Sequence, residues 1–277
     1  MRPVSIRGKF SALIKRADSE IDLGRGALLI AAEEDPAVDV EATLERLDEL
    51  AEQIAAPVAA ATTDFDRLQV LHQFLYEDLG LRGNREDYRD PENCLLHRVL
   101  ERGVGIPLTL AIVELEVARR VDIPLEGINF PGHFLLRHVV HRQLLLDPFN
   151  GGQFLTTVEC AELLDRMSDG QMAFSHDLLA TATHLQILER LLNNLRTVYI
   201  SRGEVERALS VLERLVLIHP EDLALRRDLG LLLLQYGNMA AGIEKIEHYL
   251  EETPEPPDRQ KLEELLDQAK KNILPIQ

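Results

Sequence analysis

Apolar positions recur at three- and four-residue steps through most of this chain, and the period drops toward two only once. Leu44, Leu47, Leu50, Ala51 and Ile54 share one face, with Glu45, Arg46, Asp48, Glu49 and Glu52 opposite, which predicts a surface helix packed on a core. Before it, the run Ala27 to Ala32 predicts a buried helix stopped near Pro36. After it, Phe65, Leu68, Leu71, Leu75 and Leu79 predict another, with Asp64 as N-cap and Gly80 as its close. A polar stretch from Arg82 to Pro91 leads to Leu95, Leu96, Val99 and Leu100, a short helix ending at Gly103. If Asn93 caps that helix, Cys94 lies in its first turn, where the helix dipole favours a thiolate. Pro107 suits the first position of a further helix, and Leu108, Leu110, Ala111, Val113, Leu115, Val117 and Ala118 are apolar nearly all round, so this helix is central and buried.

The change of period falls after Pro124. Leu125 to Phe130, Phe134 to Val140 and Gln143 to Leu146 read as three strands of an antiparallel meander, broken at Pro131-Gly132 and His141-Arg142. Thr156 and Glu159 form a capping-box pattern for a helix over Cys160 to Met167, and everything beyond Ser175 reads as helix. That last stretch holds a repeat. Leu195 and Leu229, Tyr199 and Leu233, Gly203 and Gly237, Ala208 and Gly242, Leu212 and Ile246, and Pro220 and Pro254 each stand 34 residues apart, the tetratricopeptide period. Two such units cannot close a core alone, so Leu262, Leu265, Leu266 and Ala269 read as a capping helix, and the other end is expected to rest on the first domain as a rigid body. The fold class is therefore α+β, mostly helical: residues 1–175 with a small antiparallel sheet, then residues 176–277 as helical repeats and cap.

Composition narrows the partners. At 277 residues, 45% apolar and 28% charged, the chain suits an ordinary water-soluble protein of two units. A net charge of −17 without any Lys/Arg cluster argues against nucleic acid and anionic membrane as partners. The basic start Met1 to Lys9 lacks a following apolar stretch, so the expected compartment is the cytoplasm. Two cysteines are too few for a disulfide framework and are expected as thiols.

The candidate chemistry is an order of residues: Cys94, then His133 in Pro-Gly-His-Phe, then Asp147 in Asp-Pro-Phe-Asn-Gly-Gly. Thiol, imidazole and carboxylate follow one another this way in papain-like and transglutaminase-like enzymes. A thiol becomes a nucleophile only when an imidazole takes its proton, and a third group must orient that imidazole. Each residue also has a plainer reading. Cys94 and Cys160 serve equally as small buried apolar residues, His133 as a strand histidine bonded to a carbonyl, Asp147 and Asn150-Gly151-Gly152 as turn formers. A metal set of His133, His138, His141 and Asp147 is not supported: His133 and His138 differ by an odd number along a strand and no cysteine pair accompanies them, so no metal or other cofactor is expected. No Gly-x-x-x-x-Gly-Lys loop is present for a nucleotide.

The motifs Asp90-Pro91-Glu92-Asn93, Val99-Leu100-Glu101-Arg102, Gly105-Ile106-Pro107-Leu108-Thr109-Leu110-Ala111, Pro131-Gly132-His133-Phe134 and Asp147 to Gly152 resemble those of the bacterial SirB-type proteins, a transglutaminase-like (papain-like) core followed by tetratricopeptide repeats. The resemblance implies a Cys-His-Asp site and leaves two registers open. One makes Cys94 the nucleophile; the other counts back from Asp122-Ile123-Pro124 to the region of Thr109, where no cysteine stands. Asn93, Phe134 and Asn150 are the expected substrate contacts. Two functions follow: a degenerate core that binds a peptide or small amide in a regulatory role while the repeats dock a protein partner, or an active cysteine acyl-transferase, amidohydrolase or protease.

Overall fold

The computed structural model describes residues 4–273, so Met1 to Pro3 of the basic start lie outside it. Chain contacts divide it into two compact units after Leu191. No helix of the described residues is long and apolar enough to cross a membrane.

The first unit opens with α1 (Ile6–Leu13), α2 (Leu23–Glu34), α3 (Val40–Ala60) and α4 (Asp64–His72). On α3 the predicted face, Leu44, Leu47, Leu50, Ala51 and Ile54, is the buried one. Helix α4 begins one residue earlier than expected: Thr63, not Asp64, is its cap, in a capping box with Asp66. Nor does α4 run on to Gly80. From Gln73 to Asp78 it widens into a π-helical turn that carries Tyr76. Two short parallel segments follow, β1 (Arg82–Gly83) and β2 (Val104–Gly105), with a 3₁₀ turn over Pro91–Cys94 and α5 (Leu96–Arg102) between them.

Helix α6 (Pro107–Arg120) is the predicted central helix, buried from Pro107 through Glu114 and again from Glu116 to Ala118. Against it packs a four-stranded antiparallel meander, β3 (Leu125–Ile128), β4 (Leu135–His138), β5 (Leu145–Asp147) and β6 (Gln153–Leu155), in that spatial order. The fourth strand lay where the sequence suggested only a link to the next helix. That helix, α7 (Thr157–Ser168), is capped by Thr156 and Glu159 as predicted. It buries Cys160 and Leu164 against Ile128, Phe130, Leu135, Leu145 and Leu155 on the sheet.

The division after Leu191 falls within α8 (His184–Arg202). The helices α9 (Val205–Ile218), α10 (Leu223–Tyr236), α11 (Met239–Glu252) and α12 (Arg259–Ile273) complete the second unit. Gly203 and Gly237, one repeat apart, both take positive φ, +71° and +94°, a geometry that favours glycine at a helix exit. Where α10 crosses α11, Gly230 and Gly242 meet so closely that a Cβ on Gly242 would stand 2.6 Å from Leu234. The cap expected from Leu262, Leu266 and Ala269 is α12, packed on Leu234, Ile243, Ile246 and Tyr249.

Candidate functional site

The meander's register accounts for the central pair. Leu136 stands opposite Leu146, so continuing the ladder sets Leu135 opposite Asp147, and His133, two residues before Leu135, comes to the same face and edge. The imidazole Nε2 lies 2.8 Å from Asp147 Oδ1, and both residues are buried, at 5% and 1% exposure. His133 lies just before β4 rather than on it, in the turn begun by Pro131 and Gly132.

Asp147 is densely held. Its Oδ1 also accepts the backbone N–H groups of Phe149 (3.1 Å) and Asn150 (3.3 Å), and its Oδ2 accepts the Asn150 side-chain amide at 2.7 Å. A carboxylate accepting this many N–H groups takes the proton-bearing side of the imidazole, so neutral His133 presents its lone pair at Nδ1. Nδ1 has no hydrogen-bond partner among the described residues and is not sealed from water. The backbone of the same turn is clamped by Arg190, whose guanidinium donates to the carbonyls of Phe130 (3.0 Å) and His133 (2.7 Å). Around the ring, Phe149 meets His133 edge-on at 5.9 Å, Tyr88 meets Phe149 at 6.0 Å, and Arg85 lies over the Phe149 ring at 5.5 Å while bonding Asn150. Gly83 makes room for that platform: a Cβ there would stand 2.5 Å from the Phe149 ring.

The thiol side is different. Cys94 ends the 3₁₀ turn instead of entering the first turn of α5, and the cap position of α5 is Leu95, which makes no side-chain capping bond. No helix dipole therefore acts on the sulfur in the way the sequence suggested. Cys94 is 2% exposed, its side chain makes no hydrogen bond to His133 or any other described residue, and burial, with the Asp90 carboxylate second, pushes the thiol up to about 12. Thr109, of the other register, is fully buried; its hydroxyl donates to the Asn93 carbonyl at 2.7 Å and accepts the Ile106 N–H at 3.2 Å. Asn93, expected as a substrate contact, is also fully buried, with its amide donating to the Asp87 carbonyl and its carbonyl accepting from Asn84. Phe134 turns inward under the guanidinium of Arg190 and against Gly127. Asn150 alone of the three expected contacts stays partly exposed, and it is bound to Asp147 and Arg85. Arg85, Tyr88, Phe149 and Arg190 were missed as site residues; Phe149 alone had a signal, its place inside the Asp147 to Gly152 motif.

Beneath the Asp147 to Gly152 loop lies a second buried polar group. Glu114 on α6 accepts from Tyr76 and sits 2.9 Å from His72 Nε2, and Gly152, at φ +70°, rests directly on the Tyr76 and His72 rings. Burial first, and the Glu114 carboxylate second, hold the Tyr76 hydroxyl well above its ordinary range.

A helix-backed meander that pairs a histidine with an aspartate, followed by 34-residue helical repeats, defines a class. Residues 41–193 match the transglutaminase-like superfamily and residues 195–267 the tetratricopeptide repeat. The chain is a transglutaminase-like protein carrying tetratricopeptide repeats. More particularly, it belongs to the UPF0162 family: it is 34% identical over 241 residues to a UPF0162 protein of Xylella fastidiosa strain Temecula1, covering 86% of each chain. It is also 40% identical over 198 residues to the UPF0162 protein PA3419 of Pseudomonas aeruginosa, covering 72% of each. A stretch of 137 residues, 46% of this chain, is 34% identical to F-box only protein 21 of Mus musculus, where it covers 21% of that protein. No solved structure matches this chain.

Proposed function

We propose that this protein is a binding module with a regulatory role, in which the transglutaminase-like core holds a peptide or small amide beside the His133–Asp147 pair and the repeats dock a protein partner. The observation that carries this reading is the state of Cys94: buried, without a hydrogen bond to the imidazole, and with its thiol pushed up to about 12. At neutral pH such a sulfur is almost wholly protonated, and the histidine has no nucleophile to activate. Asn93 and Phe134, being fully buried, support the core, whereas the half-exposed Tyr88, at 48%, with Phe149, Arg85 and Asn150, offers the aromatic and polar surface a ligand would meet. A stretch similar to this core is carried within a much longer F-box only protein, which suits a portable module. The regulatory role and the SirB-type resemblance belong to this proposal, as does a cytoplasmic setting.

The paired His133 and Asp147 favour a second reading, a thiol acyl-transferase or amidohydrolase. There Cys94 Sγ attacks a carboxamide carbonyl, His133 Nδ1 takes the thiol proton and delivers it to the departing amine, and Asp147 orients the ring. Iodoacetamide labelling of the native chain at neutral pH, read by mass spectrometry, separates the two. The binding reading expects Cys94 to react roughly a thousandfold more slowly than in the unfolded chain, at a rate indifferent to His133→Ala. Rapid labelling that His133→Ala abolishes would replace it with the enzyme reading.

A further inference from the structure

At the opposite end of β4 from His133, a separate cluster gathers. His138 ends that strand, His141 lies in the turn to β5, and Asp64 opens α4, more than seventy residues earlier. Asp64 Oδ2 is 3.0 Å from His141 Nε2 and 3.9 Å from His138 Nε2, and the three donor atoms all lie within 4.8 Å of one another. The two imidazoles stack with centroids 5.0 Å apart. His138 is fully buried, yet its Nε2, facing the carboxylate, has no hydrogen-bond partner. A sealed polar atom without a partner is rare and calls for an explanation.

We propose that Asp64, His138 and His141 form a binding site for a divalent first-row transition ion of the zinc type. Two imidazole nitrogens and one carboxylate oxygen are borderline donors that suit such an ion, while calcium and magnesium require mostly oxygen. Ligands about 2.0–2.1 Å from zinc at a tetrahedral angle stand roughly 3.3 Å from one another, between the two separations that the carboxylate oxygen makes with the imidazoles here. Arg67 approaches the other carboxylate oxygen, Oδ1, at 3.8 Å and leaves Oδ2 to the imidazoles. The side chains of His141 and Asp64 are 43% and 34% exposed, so water completes the coordination from the open side.

One contact makes the proposal specific. The His141 backbone N–H donates to His138 Nδ1 at 3.0 Å, which keeps the neutral ring's proton on Nε2. An ion on Nε2 displaces that proton, Nδ1 then carries it, and the His141 N–H must let go. The His141 amide therefore reports loading directly. Bound, the ion ties the β4–β5 turn to the start of α4 and stabilises the first unit by mass action.

The test uses the full chain, stripped with a chelator, and zinc alone as the probe. Isothermal titration is expected to give saturable one-to-one binding. His141→Ala and Asp64→Asn, both at partly exposed positions, are each expected to weaken it at least about tenfold. The Cys94→Ala/Cys160→Ala pair is expected to leave it unchanged, and the His141 amide resonance is expected to move on loading. Absence of saturation, equal binding by His141→Ala, or an unmoved His141 amide at saturation would each overturn the proposal.

Discussion

The two sides of the candidate site treat ionisable groups in opposite ways. On the sheet side, His133 and Asp147 are buried together, and every oxygen of the carboxylate is used: one by the ring and two backbone N–H groups, the other by the Asn150 amide. On the helical side, Cys94 is sealed without a partner, and its neighbour on α5, His97, has both ring nitrogens buried without a hydrogen bond, the nearest carboxylate being Asp35 at 3.6 Å. Burial is common to both sides. Pairing is what differs, and it decides whether a buried group keeps its chemistry or loses it. A catalytic triad needs both sides in the first condition, and the reading proposed above rests on the thiol side not meeting it.

The comparison is most exposed to Asp147→Ala. Removing that carboxylate strands a buried imidazole and three further N–H donors, and a loss of about 3–5 kcal/mol is expected in urea unfolding. A loss below about 1 kcal/mol would mean that the sheet side is not held by pairing. Thr109→Val comes next. It removes one hydroxyl bond to the Asn93 carbonyl and one from the Ile106 N–H, with an expected cost of about 1–2 kcal/mol that Thr109→Ser restores in the same measurement. Full stability in Thr109→Val would show that the helical side does not depend on that hydroxyl.

The smallest effect concerns His97. Burial, against the pull of Glu101 and Asp35, holds its folded-state pKa below the ordinary value of about 6.5. Between that lowered value and about 6.5 the unfolded chain holds more protons than the folded one, so stability is complete above this window and declines as pH falls through it. The expected slope is at most about 1.4 kcal/mol per pH unit from this group, and His97→Leu should flatten it. A slope that survives the substitution would assign the acid sensitivity to another group.

Much of this was legible in the sequence, for reasons that differ by element. The 34-residue repeat could be read because small residues recur at Ala208, which is fully buried, and at Gly242, where α10 and α11 cross, and a positive φ recurs at Gly203 and Gly237. The meander could be read because its period is two, and the nearness of His133 to Asp147 follows from a register that neighbouring strands cannot slip without inverting their faces. β6 was missed because three residues give too little alternation to stand out beside a capping box. The π-helical turn was missed because Leu75 and Leu79 continue an α-helical period straight through it. The fate of Cys94 was out of reach for another reason: which groups surround a thiol depends on Asn93, Thr109 and Asp90 meeting in space, and no local period records it. Arg190, 57 residues beyond His133, shares that limitation.

The widened turn from Gln73 to Asp78 has a consequence of its own. A π-helical turn amounts to one residue inserted into an α-helix, and each residue of an α-helix advances the direction of its side chains by about 100°. Deleting a single residue between His72 and Tyr76 would restore ordinary winding and change the direction in which Tyr76 leaves the helix, drawing its hydroxyl away from Glu114 and leaving a buried acid half-satisfied under Gly152. Length alone, with no change of composition, is thus enough to disarm the floor on which the aspartate's loop rests.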